Sequence, residues 1–207
     1  IDACLVGSEM CIRDRCSMSV EQAILEAGGR PVMARTGHSF MKRVLASMPE
    51  CKMAAEMSGH IFLADRGWYG FDCSLYNAAR LIELWSRQAP VVDGGPSFSN
   101  ELDRLAPSLP TTGEVKVPCE EDDKIRVVSA ITEAFNDMET STVDGVRVRF
   151  NDDDGEYVGW YLARKSNTEP VLVMRMEALS ESALQTMMNV VNERVSGIIN
   201  IEKLLTA

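Results

Sequence analysis

Apolar residues along this chain recur at helical spacing in some stretches and gather in short unbroken runs in others. Between Ser17 and Gly28, Val20, Ile24 and Ala27 return every three or four positions, which predicts a helix over 17–27. Ser17 or Ser19 can cap it, and Gly28-Gly29 stops it. Residues 31–34 form a short apolar run and read as a buried strand. Thr36-Gly37-His38 reads as a loop, 40–48 as a second helix and 52–55 as a second strand. A loop over 56–60 leads into a third apolar run, 61–63. Past the turn at Asp65-Arg66-Gly67, Leu75, Ala79, Ile82 and Trp85 line one side of a helix predicted over 72–88. Helices alternating with short strands predict an α/β unit with a mainly parallel sheet.

The pattern changes after residue 88. Pro96, Pro107, Pro110 and Gly94-Gly95 punctuate a stretch that reads as a linker around a short helical piece at 99–105. Beyond it, 114–117 reads as a strand and 120–135 as an amphipathic helix with acids at its start, where the helix dipole favours them. Strands follow at 140–143, 146–150 and 157–163, the first two joined by Asp144-Gly145, a hairpin signal. A loop at 164–169, a strand at 171–176 and a closing helix over 180–205 complete a second unit. Its expected class is α+β, an antiparallel sheet covered by helices.

Composition sharpens this picture. The 207 residues are 45% hydrophobic and 25% charged, enough apolar material for a real core. The formal charge of −10 repels nucleic acid and anionic membranes at long range, so neither is an expected partner. No apolar run spans a bilayer, and no secretory signal precedes the first helix. The six cysteines show no CxxC pair and no histidine at metal-ligand spacing, which points to free thiols in a reducing cytoplasm. Any anion must therefore be held by a local cluster of donors.

One such cluster is Arg164-Lys165-Ser166-Asn167-Thr168 between two strands. Arg164 offers a planar fork suited to phosphate oxygens, Ser166 and Thr168 offer hydroxyls, and Asn167 an amide. Residue chemistry alone fits a polar hairpin with an incidental arginine equally well. In Glu56-Met57-Ser58-Gly59-His60, a carboxylate and a hydroxyl two residues apart can grip adjacent sugar hydroxyls; a solvated loop is the simpler account. His38 and His60 both sit in glycine-flanked loops after strands, where open α/β sheets bind ligands and a histidine can handle a proton. Asp152-Asp153-Asp154 reads as a solvated turn, because three consecutive acids point in divergent directions.

The run from Cys4 to Arg15, CLVGSEMCIRDR, resembles a translated transposase adapter from sequencing-library preparation. Residues 1–15 are therefore set aside as foreign, and the first unit is expected to lack its opening strand; a natural N-terminal arm or strand is the alternative.

From Cys16 onward, GGRPVMARTGH (28–38), AEMSGHIF (55–62), GWYGFD (67–72), DGVRV (144–148) and RKSNTEPVLVMRMEA (164–178) resemble, in order, the third- and fourth-domain signatures of α-D-phosphohexomutases of the phosphomannomutase/phosphoglucomutase kind. The resemblance implies a truncated third domain at 16–93, a linker at 94–111 and a phosphate-binding domain at 112–207. It implies interconversion of hexose 1-phosphate and hexose 6-phosphate through a phosphoserine and a bisphosphorylated sugar. By similarity Glu56 and Ser58 hold sugar hydroxyls. Arg164, Ser166, Asn167 and Thr168 clamp the non-reacting phosphate, and His38 and His60 stand near the reacting end. Glu56 and Ser166-Asn167-Thr168 replace the Gln and SGT of phosphoglucosamine mutases, which favours an unacetylated hexose, mannose or glucose. The family's serine loop and its Mg²⁺ loop are absent, so Mg²⁺ is expected on the missing N-terminal domains and no cofactor on this chain. Half an active site, inert alone, is the expectation; a phosphoglucosamine mutase piece or a non-catalytic sugar-phosphate-binding module are the alternatives.

Overall fold

The computed structural model describes residues 9–13, 16–35, 37–87, 100, 103 and 108–206. The chain forms two compact units, Ile1–Pro107 and Ser108–Ala207. Most of the segment read as a linker, and Thr36, lie outside the described residues.

In the first unit the described elements run β1 (Glu9–Arg13), α1 (Met18–Glu26), β2 (Arg30–Ala34), α2 (His38–Ser47), β3 (Cys51–Ala55), β4 (Ile61–Leu63) and α3 (Ser74–Arg87). The sheet order is β2-β1-β3-β4. β1 pairs in parallel with both β2 and β3, and β3 pairs antiparallel with β4, so the sheet is mixed. The expected loss of the opening strand is thus corrected: Glu9–Arg13 occupy the middle of the sheet. A ladder is built from backbone N–H and C=O groups, so an extended run without proline can fill that place whatever its side chains. Pro31 lies on β2, at the sheet's edge, where a missing N–H is tolerated.

Alternation along β2 and β3 sends side chains to two helices. Val32, Ala34, Ala54 and Phe62 pack with Met41, Val44 and Leu45 of α2. Met33 and Met53 pack with Cys16 and Ile24 on the α1 side. Ser17 caps α1 by accepting the Ser19 N–H at 3.2 Å. The apolar stripe of α3 does not behave as its spacing suggests. Leu75 (82%), Ile82 (64%) and Trp85 (60%) are exposed. The opposite, polar side holds the helix instead. Arg80 pairs with buried Asp65 at 2.7 Å, Tyr76 donates to Asp65 at 2.9 Å, and the Asn77 amide donates to the Ile61 carbonyl at 2.9 Å.

The second unit carries β5 (Val115–Pro118), a 3₁₀ turn (Glu121–Asp123), α4 (Lys124–Ala134), β6 (Thr140–Ser141), β7 (Val146–Asn151), β8 (Tyr157–Lys165), β9 (Val171–Ala178), α5 (Glu181–Val195) and α6 (Glu202–Leu205). Its sheet, ordered β5-β9-β8-β7-β6, is antiparallel throughout. One face of β7–β9 (Val146, Val148, Tyr161, Ala163, Met174, Met176) packs with Val127 and Ile131 of α4 and Leu184, Met187 and Val191 of α5. The closing helix is broken rather than continuous. α5 stops at Val195, whose carbonyl accepts the N–H groups of Ile198 and Ile199, and Gly197 lies in the turn before α6. The other sheet face carries Arg147 over the Trp160 ring at 4.2 Å, with the Trp160 indole N–H donating to Glu177 at 3.3 Å.

Candidate functional site

In the first unit the chain turns back on itself between β3 and β4. The Glu56 N–H donates to the His60 carbonyl and the Gly59 N–H to the Glu56 carbonyl, each at 2.9 Å. This tight turn brings residues 56 and 60 side by side. Gly59 takes φ +87° there, a left-handed conformation that glycine adopts without cost. Glu56 is buried, and its two carboxylate oxygens are separately engaged. Oε1 accepts the Gly37 N–H at 3.0 Å and Oε2 the Ser58 hydroxyl at 3.3 Å. The first bond ties the β3–β4 loop to the start of α2, where His38 is the first helical residue.

The two histidines meet edge to face, ring centroids 4.3 Å apart, and His38 also stands edge-on to Phe62 at 5.0 Å. Asp72 anchors the pair: its Oδ2 lies 2.7 Å from His60 Nδ1 and 3.7 Å from His38 Nε2. An isolated bridge between Phe62 and Asp72 fixes that carboxylate beside β4. Metal-ligating atoms of His38, Glu56 and His60 all lie within 4.8 Å of one another. Sequence reading had assigned no role to Asp72; its signal was the acidic residue inside the glycine- and aromatic-rich run 67–72.

In the second unit Arg164 lies one residue before the end of β8 at Lys165, and Ser166 opens the loop to β9. The Ser166 N–H donates to the Val171 carbonyl at 3.1 Å, which closes the loop. The buried Ser166 hydroxyl accepts the N–H groups of Thr168 (3.3 Å) and Glu169 (3.2 Å), so this side chain holds the loop's shape from within. Asn167 and Thr168 are exposed at its tip. Arg164 is buried, with Nη1 3.5 Å from Asp144 Oδ2. That contact is long for a charge-assisted bond, and Nε has no hydrogen-bond partner. The guanidinium therefore keeps donor capacity for an anion.

Lys124 braces the loop from below. It is 1% exposed, and its ammonium donates to the carbonyls of Ser166 (2.9 Å) and Glu169 (2.5 Å) and to Glu121. Sequence reading missed it, although a lysine three and seven residues before Val127 and Ile131 falls on the helix's inward face. The predicted residues thus form one group in each unit: His38, Glu56, Ser58 and His60 in the first, Arg164, Ser166, Asn167 and Thr168 in the second.

Two family models match. Residues 12–94 fit the α/β/α domain III of phosphoglucomutase/phosphomannomutase, and residues 114–194 fit its C-terminal domain. The chain belongs to the phosphoglucomutase/phosphomannomutase family. A phosphomannomutase/phosphoglucomutase of Pseudomonas syringae is 34% identical over 198 residues, 95% of this chain and 38% of that protein. A phosphoglucomutase of Neisseria gonorrhoeae is 37% identical over 170 residues, 80% of this chain and 34% of that protein. Among solved structures, a phosphoglucomutase/phosphomannomutase family protein from Burkholderia thailandensis superposes with a TM-score of 0.73 at 33% identity, covering 93% of this chain and 38% of that one. The chain therefore spans less than two-fifths of the length of these relatives. Among the described residues, no helix is long and apolar enough to cross a membrane.

Proposed function

We propose that this chain is the substrate-recognition half of a phosphohexomutase that interconverts hexose 1-phosphate and hexose 6-phosphate, acting on mannose, glucose or both. The observation that carries the reading is the coexistence, in family order, of a Glu56–Ser58 pair built for sugar hydroxyls and a braced loop built for a phosphate. Glu56 is an acceptor held in place by the Gly37 N–H. Ser58 is exposed and only weakly tied to Glu56, so its hydroxyl can turn to a ligand.

Arg164 with Asn167 and Thr168 grips the phosphate that does not react. Ser166 and Lys124 keep that loop in shape, which makes the clamp a positioning device. His60, its Nδ1 tied to Asp72, presents its other nitrogen for proton handling, with His38 beside it. The phosphoserine and the Mg²⁺ site belong to the part of the protein outside this chain. Among the described residues, two groups offer Mg²⁺ a poor fit: Asp152 Oδ1 already accepts the N–H groups of Asp154 and Glu156, and the His38–Glu56–His60 group is not an all-oxygen shell.

The test compares this chain with the full-length gene product on glucose 1-phosphate and mannose 1-phosphate. Turnover is expected from the longer protein alone, with kcat/KM lowered at least about a hundredfold by Arg164→Ala or Glu56→Ala. Turnover by this chain itself, or full activity in both variants, would overturn the reading.

A further inference from the structure

We infer that His38, Glu56 and His60 form a binding site for a zinc-class divalent cation, a property beyond sugar-phosphate isomerisation. Three observations converge on it. The donor atoms of the three residues lie within 4.8 Å of one another. A tetrahedral Zn²⁺ with bonds of about 2.0–2.2 Å sets its donors about 3.3–3.6 Å apart, so inward shifts of under about 1 Å complete the shell. Side chains on a loop and at a helix start can move that far by rotation alone.

The donor set selects the ion. Two imidazoles and one carboxylate match the ligands of zinc sites that keep an open position, and they suit Zn²⁺, Co²⁺, Ni²⁺ and Cu²⁺ better than Mg²⁺ or Ca²⁺. The second shell is also in place. Asp72 takes the Nδ1–H of His60 at 2.7 Å, which leaves the lone pair on Nε2 and fixes the ring's orientation, the carboxylate–histidine arrangement found behind metal ligands. The Gly37 N–H steadies Glu56 in the same way. The turn between Glu56 and His60 holds two of the three ligands at one end of one hairpin.

The same groups are assigned above to the sugar, yet cation binding is read directly and does not depend on turnover. The 207-residue chain is titrated with Zn²⁺ by calorimetry and with Co²⁺ by visible absorption. One equivalent of Co²⁺ is expected, with the spectrum of a four- or five-coordinate nitrogen–oxygen site that excess Mg²⁺ leaves unchanged. Glu56→Gln should weaken Co²⁺ by about tenfold or more, and Asp72→Asn by about 10–100-fold with the spectrum retained. His38→Ala with His60→Ala should abolish it, far-UV circular dichroism verifying the fold. An absence of stoichiometric binding by the unaltered chain overturns the proposal. So does a thiolate-to-metal charge-transfer band, which would put the ion on cysteine.

Discussion

Lys124 and Ser166 are joined by a 2.9 Å hydrogen bond from a buried ammonium to a loop carbonyl. The same ammonium reaches Glu169 at the loop's other end, so one side chain ties both ends of the β8–β9 loop to the first turn of α4. Lys124→Met keeps the apolar stem and deletes the donor. The Ser166 carbonyl then loses its ammonium donor and the Glu169 carbonyl keeps only the Val171 N–H, which should cost the second unit about 1–3 kcal/mol. Urea denaturation measures this, and faster amide exchange at Thr168 and Glu169 should accompany it.

Gly145 fixes Arg164. It holds φ +87° in the β6–β7 turn, and a Cβ there would meet the Ala163 carbonyl at 2.4 Å and Arg164 Cβ at 2.5 Å. Neither neighbour is the free end of a flexible chain. Gly145→Ala should destabilise the unit by at least about 2 kcal/mol. It should also weaken hexose phosphate binding through displacement of Arg164, readable by calorimetry on the folded variant.

Tyr161 makes the second unit sensitive to alkali. Its ring is wholly buried, and that burial pushes the phenol pKa far up. An unfolded tyrosine ionises near about pH 10, so above that pH the folded state holds a proton that the unfolded state has lost. Stability is therefore intact below about pH 10 and falls as pH rises beyond it, by up to about 1.4 kcal/mol per unit from this group. Tyr161→Phe gives up only a weak contact with Met174 sulfur at 3.6 Å and should flatten that slope. Urea midpoints collected between about pH 8 and 11 distinguish the two behaviours.

The exposed stripe of α3 contributes little to its own unit. Leu75→Gln with Ile82→Gln should change stability by under about 0.5 kcal/mol, because both side chains already face solvent. Thermal unfolding of the double variant measures it. A large loss would mean that the stripe is packed in solution.

What the sequence made legible depended on how local the signal was. The strand runs at 31–34, 61–63 and 171–176 lie within strands as expected, because short apolar runs bounded by turn residues leave few alternatives. The groups around Glu56 and Arg164 were readable because their members stand within a few residues of each other. Asp72 and Lys124 act on partners 12 and 42 residues away, and no local spacing announces such a contact. The α3 stripe misled for a different reason. Periodicity identifies a face, while the polar bonds from Tyr76, Asn77 and Arg80 decide which face turns inward.

The position of β1 has a further consequence. An edge strand can be trimmed and its sheet remains one piece. β1 is different, because it is the seam between β2 on one side and β3 with β4 on the other. Those flanking pieces share no ladder without it. A protein started at Cys16 would therefore lose more than a strand: its sheet would be cut into two pieces held together only through their packing on α2, each with a bare row of backbone donors and acceptors open to any extended peptide nearby.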